Sequence, residues 1–328
     1  MSVLSVSREM QVAVVIPCYR TRAKILDVLA GIGSEVDGIY VVDDCCPEQT
    51  GDWVEQNARD PRVRVLRNAK RLGVGGATMT GYRQALADGA AILVKLDGDG
   101  QMDPALIARI AAPIAAGEAD YTKGNRFFRL DDVREMPGVR LVGNSVLSFL
   151  TKFSTGYWGI FDPTNGYTAI HHLVLRELPL DKIARGYFFE SDLLFRLGTV
   201  RAVVTEVPMA ARYGGEPSSL SVSRSVGEFL GKHLVNLGKR IFYTYYLRGF
   251  NIASIELVLG IAALAFGTSV GAYHWLRSST TAMDASSGTV MLAGLPVIVG
   301  VQLLLAFLSY DMQNDPRTPL HKRLQDGA

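Results

Sequence analysis

Two long stretches near the carboxyl end of this chain of 328 residues carry no formal charge. The first runs from Leu257 to Leu276, and the second runs from Ala285 to Tyr310, interrupted only by Pro296 and Gln302. A helix of about 20 residues spans about 30 Å, which is the thickness of the hydrocarbon core of a bilayer. Helices in the cores of globular proteins seldom stay uncharged for this length. The sequence therefore predicts two transmembrane helices, with a pair of buried core helices as the alternative.

Lysine and arginine are distributed unevenly around these two runs. The segment that joins them holds Arg277 alone, whereas several basic residues flank the outer ends of both runs. Because positively charged flanks tend to stay on the cytoplasmic side of a membrane, both termini are expected in the cytoplasm. We therefore predict an integral protein of the cytoplasmic (inner) membrane. The outer basic residues are Lys232, Lys239, Arg240 and Arg248 before the first run and Arg317, Lys322 and Arg323 after the second.

The segment just before the first run has an amphipathic helical pattern. Such a helix beside a membrane span is expected to lie in the membrane surface, and a core helix of the soluble domain is the alternative. We therefore predict a soluble domain at 1–221, an amphipathic juxtamembrane helix at 222–250, a two-helix hairpin at 251–311 and a cytoplasmic tail at 312–328. The pattern consists of Val226, Phe229, Leu230, His233, Leu234, Leu237 and Ile241.

Short apolar runs alternate with helical patterns in the soluble part of the chain. This alternation predicts an α/β domain whose sheet is parallel and has helices on both faces. In such open sheets, ligands bind at the carboxyl ends of the strands. The predicted strands are Val12–Ile16, Gly38–Val42, Arg62–Leu66 and Ala91–Leu96, and the predicted helices are Lys24–Ile32, Gly51–Asn57 and Gly75–Leu86.

Composition and charge exclude several classes of protein. Hydrophobic residues make up 48% of the chain, which is too apolar for a disordered chain. The net charge of +2 gives no general reason to expect nucleic-acid binding. Cys18, Cys45 and Cys46 are an odd number, and the adjacent pair would bond only with strained geometry. We therefore expect reduced thiols.

Acidic residues follow two of the predicted strands. Asp43 and Asp44 end the second strand, and the fourth leads into Asp97-Gly98-Asp99-Gly100-Gln101. Because positions two apart in a strand project to the same side, Asp97, Asp99 and Gln101 are expected to converge. Two close carboxylates repel unless a cation lies between them, and hard oxygen ligands suit Mg²⁺ or Mn²⁺. The pattern favours a divalent metal site, with a solvated Asp-Gly turn as the alternative.

A glycine-rich turn, Leu72-Gly73-Val74-Gly75-Gly76, opens the third predicted helix. Such a turn can contact phosphate groups through its backbone amides. The turn does not match the dinucleotide-binding pattern and follows the third strand rather than the first, so a nicotinamide site is not indicated. Close packing of the loop against the sheet is an equally good interpretation.

Taken together, these motifs resemble the family 2 glycosyltransferases with the GT-A fold, and within them the polyprenyl-phosphate branch that includes dolichol-phosphate mannose synthases. The resemblance runs from about Val12 to Leu220, and the two apolar runs extend it to bacterial members of the branch. Gly124-Asn125-Arg126 resembles the Gly-Ser-Arg of the family, and Asp162-Pro163-Thr164-Asn165-Gly166 matches its Asp-Pro-x-x-Gly turn. The resemblance implies a Rossmann-like, mostly parallel sheet flanked by helices.

For the donor side, the resemblance implies a pocket for a UDP- or GDP-sugar. The second-strand acids are expected to recognise the base or ribose, and the glycine-rich loop packs around the nucleotide sugar. The Asp-x-Asp-x-Gln motif implies that Asp97, Asp99 and Gln101 hold Mg²⁺ or Mn²⁺ against the donor diphosphate. The expected nucleotide-binding residues are Pro17, Tyr19, Asp43, Asp44, Gly75 and Asp97.

For the acceptor side, the resemblance implies inverting transfer of one sugar to a lipid phosphate at the bilayer. Arg126, Arg140 and Arg212 are assigned to that phosphate, because arginine offers planar bidentate donors. A phosphate monoester is largely ionised at neutral pH, so such an acceptor needs no general base. Glu190, which follows an aromatic run, and Asp162 are candidates for a base or for groups that orient the sugar or a loop.

The sequence departs from the family pattern at two places and leaves other functions open. Arg20 follows Tyr19 where the family often has asparagine, and no lysine is present in the Arg212–Ser219 loop. A hydroxyl acceptor, as in glycolipid or polysaccharide synthesis, is the first alternative. A non-catalytic partner that binds sugar nucleotides is the second. The sequence also leaves open whether the chain forms a homo-oligomer.

Overall fold

The computed structural model describes residues 11–128, 138–210, 222–281 and 284–325. The chain divides into two compact units, of which the first is Met1–Leu237 together with Pro316–Ala328 and the second is Gly238–Asp315. The segment that follows the second apolar helix therefore belongs to the same unit as the soluble domain.

The first unit contains a mixed sheet of seven strands in the order β3-β2-β1-β4-β6-β5-β7. Strand β6 is antiparallel to both of its neighbours, and every other pairing is parallel. The mostly parallel α/β sheet predicted from the sequence is thereby confirmed. The strands are β1 (Val12–Cys18), β2 (Gly38–Asp43), β3 (Val63–Arg67), β4 (Ile92–Lys95), β5 (Tyr121–Asn125), β6 (Thr168–His171) and β7 (Val204–Pro208).

The helices of the first unit follow the predicted alternation with the strands. Short 3₁₀ turns at Pro104–Leu106 and Leu180–Lys182 precede two of the later helical segments. The helices are α1 (Ile25–Ala30), α2 (Thr50–Asn57), α3 (Gly73–Ala87), α4 (Ile107–Ala115), α5 (Gly138–Thr155), α6 (His172–Arg176) and α7 (Phe189–Val200). The other helical segments of the chain are α8 (Val222–Phe242), a π-helical turn (Tyr243–Arg248), α9 (Ile252–Thr281), α10 (Ser287–Gln313) and α11 (Leu320–Gln325). The π-helical turn, α9 and α10 belong to the second unit.

Strand β1 is apolar along its length because both faces of the sheet are covered. Val14 and Ile16 belong to a core cluster with Ile25 of α1, whereas Val15 belongs to a second cluster with Tyr82 of α3. Neighbouring residues of a strand point to opposite faces, so a strand buried on both faces shows no alternation of polarity.

The strand directions bring several loops to one edge of the sheet. Strands β1, β2, β4 and β5 are mutually parallel or run in the same sense, so their carboxyl ends share an edge. Strand β6 runs in the opposite sense, and the turn Asp162–Gly166 just before it therefore lies at that same edge. Most of the described candidate site residues lie in the last residues of these strands or in the adjoining loops, whereas Gly75 is in α3 and Glu190 is in the first turn of α7.

Helices α9 and α10 have the length and apolarity of membrane spans. Their most apolar windows have mean hydropathies of 1.8 and 2.4, and only 11% of each window is buried by protein. Close packing between the two helices depends on small residues, since a Cβ at Gly300 would lie 2.7 Å from the Leu264 amide nitrogen. Small residues at such contacts are typical of helix pairs in bilayers. The two apolar runs of the sequence therefore form two long, mostly uncovered helices.

A buried ion pair joins helix α8 to the last part of the second apolar helix. Arg240 donates to both carboxylate oxygens of Asp311, at 2.6 and 3.0 Å, and the Tyr245 hydroxyl lies 2.6 Å from the same carboxylate. Both charged side chains are buried. One of the basic residues used to predict orientation is thus neutralised by a carboxylate within the protein.

Helix α8 departs from the single apolar face that its sequence predicts. His233 is buried and its Nδ1 lies 2.8 Å from the Ser154 hydroxyl, while Leu230 and Leu234 of the same predicted face are exposed. Asn236 is also buried and donates to Asp192 at 3.3 Å. The face of α8 that packs against protein is therefore different from the apolar face of the sequence pattern. The polar residues His233 and Asn236 make its contacts, and two of the leucines are exposed. Placement of α8 in a membrane surface stays a prediction.

The carboxyl-terminal segment is attached to the soluble domain rather than separate from it. Asp120 is buried, and its carboxylate accepts hydrogen bonds from the backbone amides of Leu320 and His321 at 2.7 and 2.9 Å. The His321 ring lies 2.6 Å from Asp120 through Nδ1 and stacks on His171 with ring centroids 4.4 Å apart. Helix α11 therefore packs on the start of β5 and the end of β6.

Candidate active site

The acidic turn after β4 is shaped by its second glycine. Gly100 has a φ of 77°, in the left-handed region that glycine adopts without strain. The Asp99 carboxylate accepts a hydrogen bond from the Gln101 amide at 3.0 Å, which closes the turn. Asp97 and Asp99 are both half-buried, and Gln101 is exposed. The structure thus brings the three residues of the motif together at the ligand-binding edge.

Lys95, the last residue of β4, lies directly behind this turn. Its ammonium group is 2.7 Å from Asp97 Oδ1, 3.5 Å from Glu190 Oε1 and 3.2 Å from the Gly166 carbonyl oxygen. Burial by itself would lower the pKa of Lys95, but attraction to the carboxylates of Asp97 and Glu190 outweighs it and raises that pKa. Sequence reasoning missed this residue. A lysine two positions before the acidic turn, on the same strand face, was the available signal.

Glu190 reaches the same cluster from helix α7. It lies in the first turn of that helix, and only 13% of its side chain is exposed. The aromatic run before it contributes Phe188 and Phe189, which are both buried. Glu190 and Asp97 are 93 positions apart in sequence, but both contact the Lys95 ammonium group.

Tyr19, which is predicted to bind the nucleotide, lies next to two arginine side chains. The Arg71 guanidinium lies 3.9 Å from the centre of the Tyr19 ring, and that of Arg20 lies 5.5 Å away. Arg20 has a φ of 58°, a conformation that asparagine adopts more easily than arginine. Pro17 pairs with Val42 of β2 within the parallel ladder. The place where the family often has asparagine thus keeps a backbone that suits asparagine.

The two acids after β2 organise the surrounding loops. Asp44 accepts hydrogen bonds from the Asn68 side chain at 2.8 Å and from the amides of Leu72 and Gly73 at 2.8 and 2.7 Å. Asp43 accepts hydrogen bonds from the amides of Cys46 and Gly51 at 2.7 and 2.6 Å. Their carboxylates hold the β2–α2 loop and the start of α3 in place. Recognition of the base or ribose by these residues stays a prediction.

The glycine-rich turn packs closely against the chain before α7. The Gly75 amide donates to the Arg185 carbonyl at 2.9 Å, and a Cβ at Gly75 would overlap the Ala184 carbonyl oxygen. This contact matches the close-packing interpretation of the turn. A contact between Gly75 and a nucleotide stays a prediction.

Arg126 and Asp162 form a bidentate ion pair across the edge from the acidic turn. The Arg126 Nε and Nη2 groups donate to the two Asp162 oxygens at 2.8 and 2.9 Å. The Asp162 side chain is fully buried, while 28% of the Arg126 side chain is exposed. Fixed bidentate geometry of this kind holds a guanidinium in one orientation. Asp162 therefore positions Arg126 at the surface of the site.

Glu206 of β7 holds the backbone next to Asp162 and the side chain next to Arg126 through hydrogen bonds, and the sequence analysis did not identify it. Its Oε1 accepts hydrogen bonds from the amides of Phe161 and Asp162, both at 2.8 Å, and its Oε2 accepts one from the Asn125 side chain at 2.7 Å. Burial raises the pKa of Glu206 above its usual value. A glutamate in a short edge strand reads as a solvated side chain, so the sequence offered no signal.

The other two predicted phosphate-binding arginines are not placed by the structure. Arg140 is in the first turn of α5, and its side chain lies outside the described part of the chain. Arg212 lies outside the described residues. Their assignment to a phosphate stays a prediction.

The donor atoms at the acidic turn suit a divalent cation that shares its ligands with a substrate. Across the described ranges, no group of three or more His, Cys, Asp or Glu side chains could hold a metal ion. Asp97 and Asp99 with the Gln101 amide therefore form an incomplete oxygen set. Mg²⁺ characteristically binds through one or two carboxylates and completes its coordination with phosphates and water. The residues present fit such an ion.

Comparison with known protein families identifies the class to which this site belongs. The sequence profile described as Glycosyl transferase family 2 matches residues 13–178. The chain belongs to this family. The resemblance inferred from the motifs is thereby confirmed, and the protein is a glycosyltransferase enzyme.

Several relatives of this family 2 glycosyltransferase have names that specify a lipid-phosphate acceptor. An undecaprenyl-phosphate mannosyltransferase of Micrococcus luteus is 30% identical over 232 residues, which are 70% of this chain and 93% of that protein. A polyprenol monophosphomannose synthase of Mycolicibacterium smegmatis is 32% identical over 60% of this chain and 75% of that protein. A UDP-N-acetylglucosamine–dolichyl-phosphate N-acetylglucosaminyltransferase of Methanococcus voltae is 28% identical over 70% of this chain and 92% of that protein.

Solved structures share the fold of this glycosyltransferase. Glucosyl-3-phosphoglycerate synthase of Mycobacterium tuberculosis, in complex with Mn²⁺, UDP and phosphoglyceric acid, has a TM-score of 0.55 at 19% identity. The match covers 72% of this chain and 80% of that one. The similarity confirms the predicted GT-A-like fold of the soluble domain.

Proposed function

We propose that this glycosyltransferase moves a single sugar, with inversion, from a nucleotide-sugar donor to a polyprenyl phosphate at the cytoplasmic face of the membrane. The product is a lipid-linked monosaccharide. The observation that carries the proposal is the arrangement of opposite charges at one sheet edge. Asp97 and Asp99 follow β4, whereas Arg126, held by the buried Asp162 carboxylate, follows β5, and β6 lies between these two strands. A cation-bound diphosphate and an anionic acceptor need those two kinds of group.

The donor side is proposed to hold the nucleotide diphosphate through a divalent ion. Asp97, Asp99 and Gln101 would hold Mg²⁺ or Mn²⁺, and structural neighbours were solved with each of these ions and UDP. Such an ion neutralises the charge of a departing diphosphate. Tyr19 and the loops fixed by Asp43 and Asp44 are proposed to enclose a UDP or GDP nucleotide.

The acceptor side is proposed to hold a phosphate monoester with Arg126, Arg140 and Arg212. A guanidinium carries five N–H donors, so pairing with Asp162 and binding a phosphate are compatible. The phosphate oxygen is already ionised near neutral pH and attacks without a general base. Asp162 then positions Arg126, and Glu190 orients the groups around the sugar. The names of the three relatives support a polyprenyl phosphate as this acceptor.

The membrane part explains how the enzyme reaches a lipid whose tail stays in the bilayer. Helix α11 follows the second apolar helix and belongs to the same compact unit as the soluble domain. Both outer ends of the hairpin are therefore proposed to lie on one side of the membrane. The basic flanks favour the cytoplasmic side.

A turnover assay tests the proposed function. The full-length protein is incubated with Mg²⁺ or Mn²⁺ and a panel of radiolabelled UDP- and GDP-sugars, with polyprenyl phosphate or the free polyprenol as acceptor. We expect label in lipid only with the phosphate, and loss of transfer after chelation of the metal. Label on the free alcohol would favour the hydroxyl-acceptor alternative. Absence of transfer from every donor would favour a non-catalytic binding protein.

A further inference from the structure

Three motifs that are distant in sequence meet at the ammonium group of Lys95. Asp97 comes from the acidic turn, Gly166 from the Asp-Pro-x-x-Gly turn and Glu190 from the first turn of α7. The three Lys95 Nζ distances are 2.7 Å to the Asp97 carboxylate, 3.2 Å to the Gly166 carbonyl and 3.5 Å to the Glu190 carboxylate. One side chain therefore connects the elements on which the proposed donor site is built.

Lys95 cannot meet a donor directly, because its side chain is only 1% exposed. Asp97, by contrast, is 30% exposed, so it faces the ammonium on one side and the ligand-binding edge on the other. Any effect of Lys95 on a ligand must pass through the carboxylates that it contacts. Lys95 is thus a candidate positioning residue.

The cluster leaves no room for adjustment on its Gly166 side. A Cβ at Gly166 would lie 2.5 Å from Lys95 Nζ and 2.9 Å from Asp97 Oδ2. The turn before β6 therefore packs directly on the ammonium–carboxylate pair. A side chain at position 166 would collide with this pair, and the Oδ1 atom of Asp97 is held by Lys95 at 2.7 Å.

The positive charge of Lys95 reduces the repulsion that the carboxylates of the cluster would exert on the proposed anionic donor. A nucleoside diphosphate is an anion, and two bare carboxylates beside it would repel it. An ammonium between Asp97 and Glu190 offsets part of their negative charge in a buried place where solvent screens it little. A buried ion pair gives little net stability compared with apolar residues of the same size, so stability alone does not account for Lys95.

We propose that Lys95 positions Asp97 and Glu190 and offsets their charge, so that an anionic donor diphosphate is accepted beside the acidic turn. This inference rests on the proposed function. Of the two acids of the turn, Asp97 is the one that Lys95 contacts, through its Oδ1 atom.

Opposite effects on a cation and an anion distinguish this role from a structural one. The full-length protein in detergent is titrated with Mn²⁺ alone, and separately with UDP and GDP in the absence of metal. Lys95→Met is expected to tighten Mn²⁺ binding and to weaken binding of the nucleoside diphosphate, each by about three- to tenfold, because one buried positive charge is lost. A defect in folding would weaken both. Equal or parallel changes in the two affinities would overturn the proposal.

A second substitution tests whether Lys95 acts through Asp97. Lys95→Met/Asp97→Asn restores the charge balance of the pair, so its loss of metal-free nucleotide affinity is expected to be smaller than that of Lys95→Met alone. Additive losses in the double variant would overturn the proposal. Lys95→Arg keeps the charge and is expected to bind both probes more nearly as wild type does than Lys95→Met. Should Lys95→Met fail to fold, Lys95→Gln takes its place with the same expected outcomes.

Lys123 provides a matched control on the neighbouring part of the sheet. Lys95 and Lys123 are both fully buried, and both lie opposite Thr168 in the sheet. The Lys123 ammonium donates to the Asn165 carbonyl. Among the described residues, it has no carboxylate partner within 4 Å. Lys123→Met is expected to lower the thermal midpoint and to shift the Mn²⁺ and nucleotide affinities less than Lys95→Met does, because the Lys123 ammonium acts on Glu190 and Asp162 from a greater distance. The same opposite shifts in Lys123→Met would overturn a specific role for Lys95. Failure of the wild-type protein to bind either nucleotide, even with Mn²⁺, would instead contradict the proposed function itself.

Discussion

Two charged pairs at the ligand-binding edge are arranged in opposite senses. Lys95 is buried and holds Asp97, a carboxylate that is 30% exposed, whereas Asp162 is buried and holds Arg126, a guanidinium that is 28% exposed. In each pair the buried charged group orients a partly exposed group of opposite charge. The exposed Asp97 carboxylate is suited to the proposed metal and donor, and the exposed Arg126 guanidinium is suited to the proposed anionic acceptor.

A third pair in the same unit lacks this asymmetry. Asp120 and His321 are both buried, with 0% and 3% of their side chains exposed. Neither group is presented to a ligand, so this pair attaches helix α11 to the sheet. The two pairs that are proposed to act in the reaction thus differ from this one in that one partner of each is partly exposed.

The largest effect is expected when the carboxylate side loses its metal ligand. Asp99→Ala should lower kcat/KM for transfer by about 10³-fold, the scale on which groups that stabilise transition-state charge act. The measurement is transfer of labelled sugar to polyprenyl phosphate, with thermal unfolding as the control for folding. An Asp99→Ala variant that retains most of its activity would contradict the proposed metal site at the acidic turn.

A smaller effect is expected when the buried member of the arginine pair is neutralised. Asp162→Asn keeps the shape of the side chain but weakens its hold on Arg126, so the KM for polyprenyl phosphate should rise about tenfold while the KM for the donor changes little. Initial rates at varied acceptor concentration test this. A fall in kcat with an unchanged acceptor KM would instead assign Asp162 a chemical role.

The third pair should affect stability and not substrates. His321→Ala removes a buried partner of Asp120 and is expected to cost about 1–3 kcal/mol of unfolding free energy. Lys322→Ala, at an exposed position of the same helix, is the control and should change stability little. Both variants should keep wild-type KM values for donor and acceptor. A raised acceptor KM in His321→Ala alone would link helix α11 to the site.

The smallest effect at neutral pH concerns the histidine next to that pair. Burial and the neighbouring His321 and His172 lower the pKa of His171 to about 4 from the usual 6.5. The unfolded chain then binds more protons than the folded one between these values, so stability should fall as the pH drops from about 6.5 to about 4. Thermal midpoints across that range test it. His171→Gln should flatten the profile, and an unchanged slope would exclude His171 as its source.

Much of the fold could be predicted from the sequence because its signals are local. The first four strands and the helices between them follow from apolar runs and helical spacing, and the two uncharged runs form the two long apolar helices. The acidic turn was also predictable, because its residues are close neighbours in the chain and directly follow β4, although they lie in a turn and not on a strand face as the sequence argument assumed. Each of these features depends on neighbours in the chain.

The parts that could not be predicted depend on contacts between distant segments. Lys95 is a functional candidate only because α7 and the turn before β6 fold on to it, and Glu206 because β7 pairs with β5. The buried polar face of α8 was hidden for a similar reason, since the partner of His233 lies 79 positions away. A single sequence without its fold does not contain those distances.

The separate roles proposed for the acidic turn and for Arg126 can be measured directly by comparing Arg126→Ala with Asp99→Asn under the same conditions. The acceptor KM and the dissociation constant of the nucleoside diphosphate with Mn²⁺ are determined for both variants. We expect Arg126→Ala to raise the acceptor KM by about tenfold or more and to leave nucleotide binding within about twofold of wild type, with the reverse for Asp99→Asn. Loss of nucleotide binding in Arg126→Ala at an unchanged acceptor KM would contradict the assignment of the two sides.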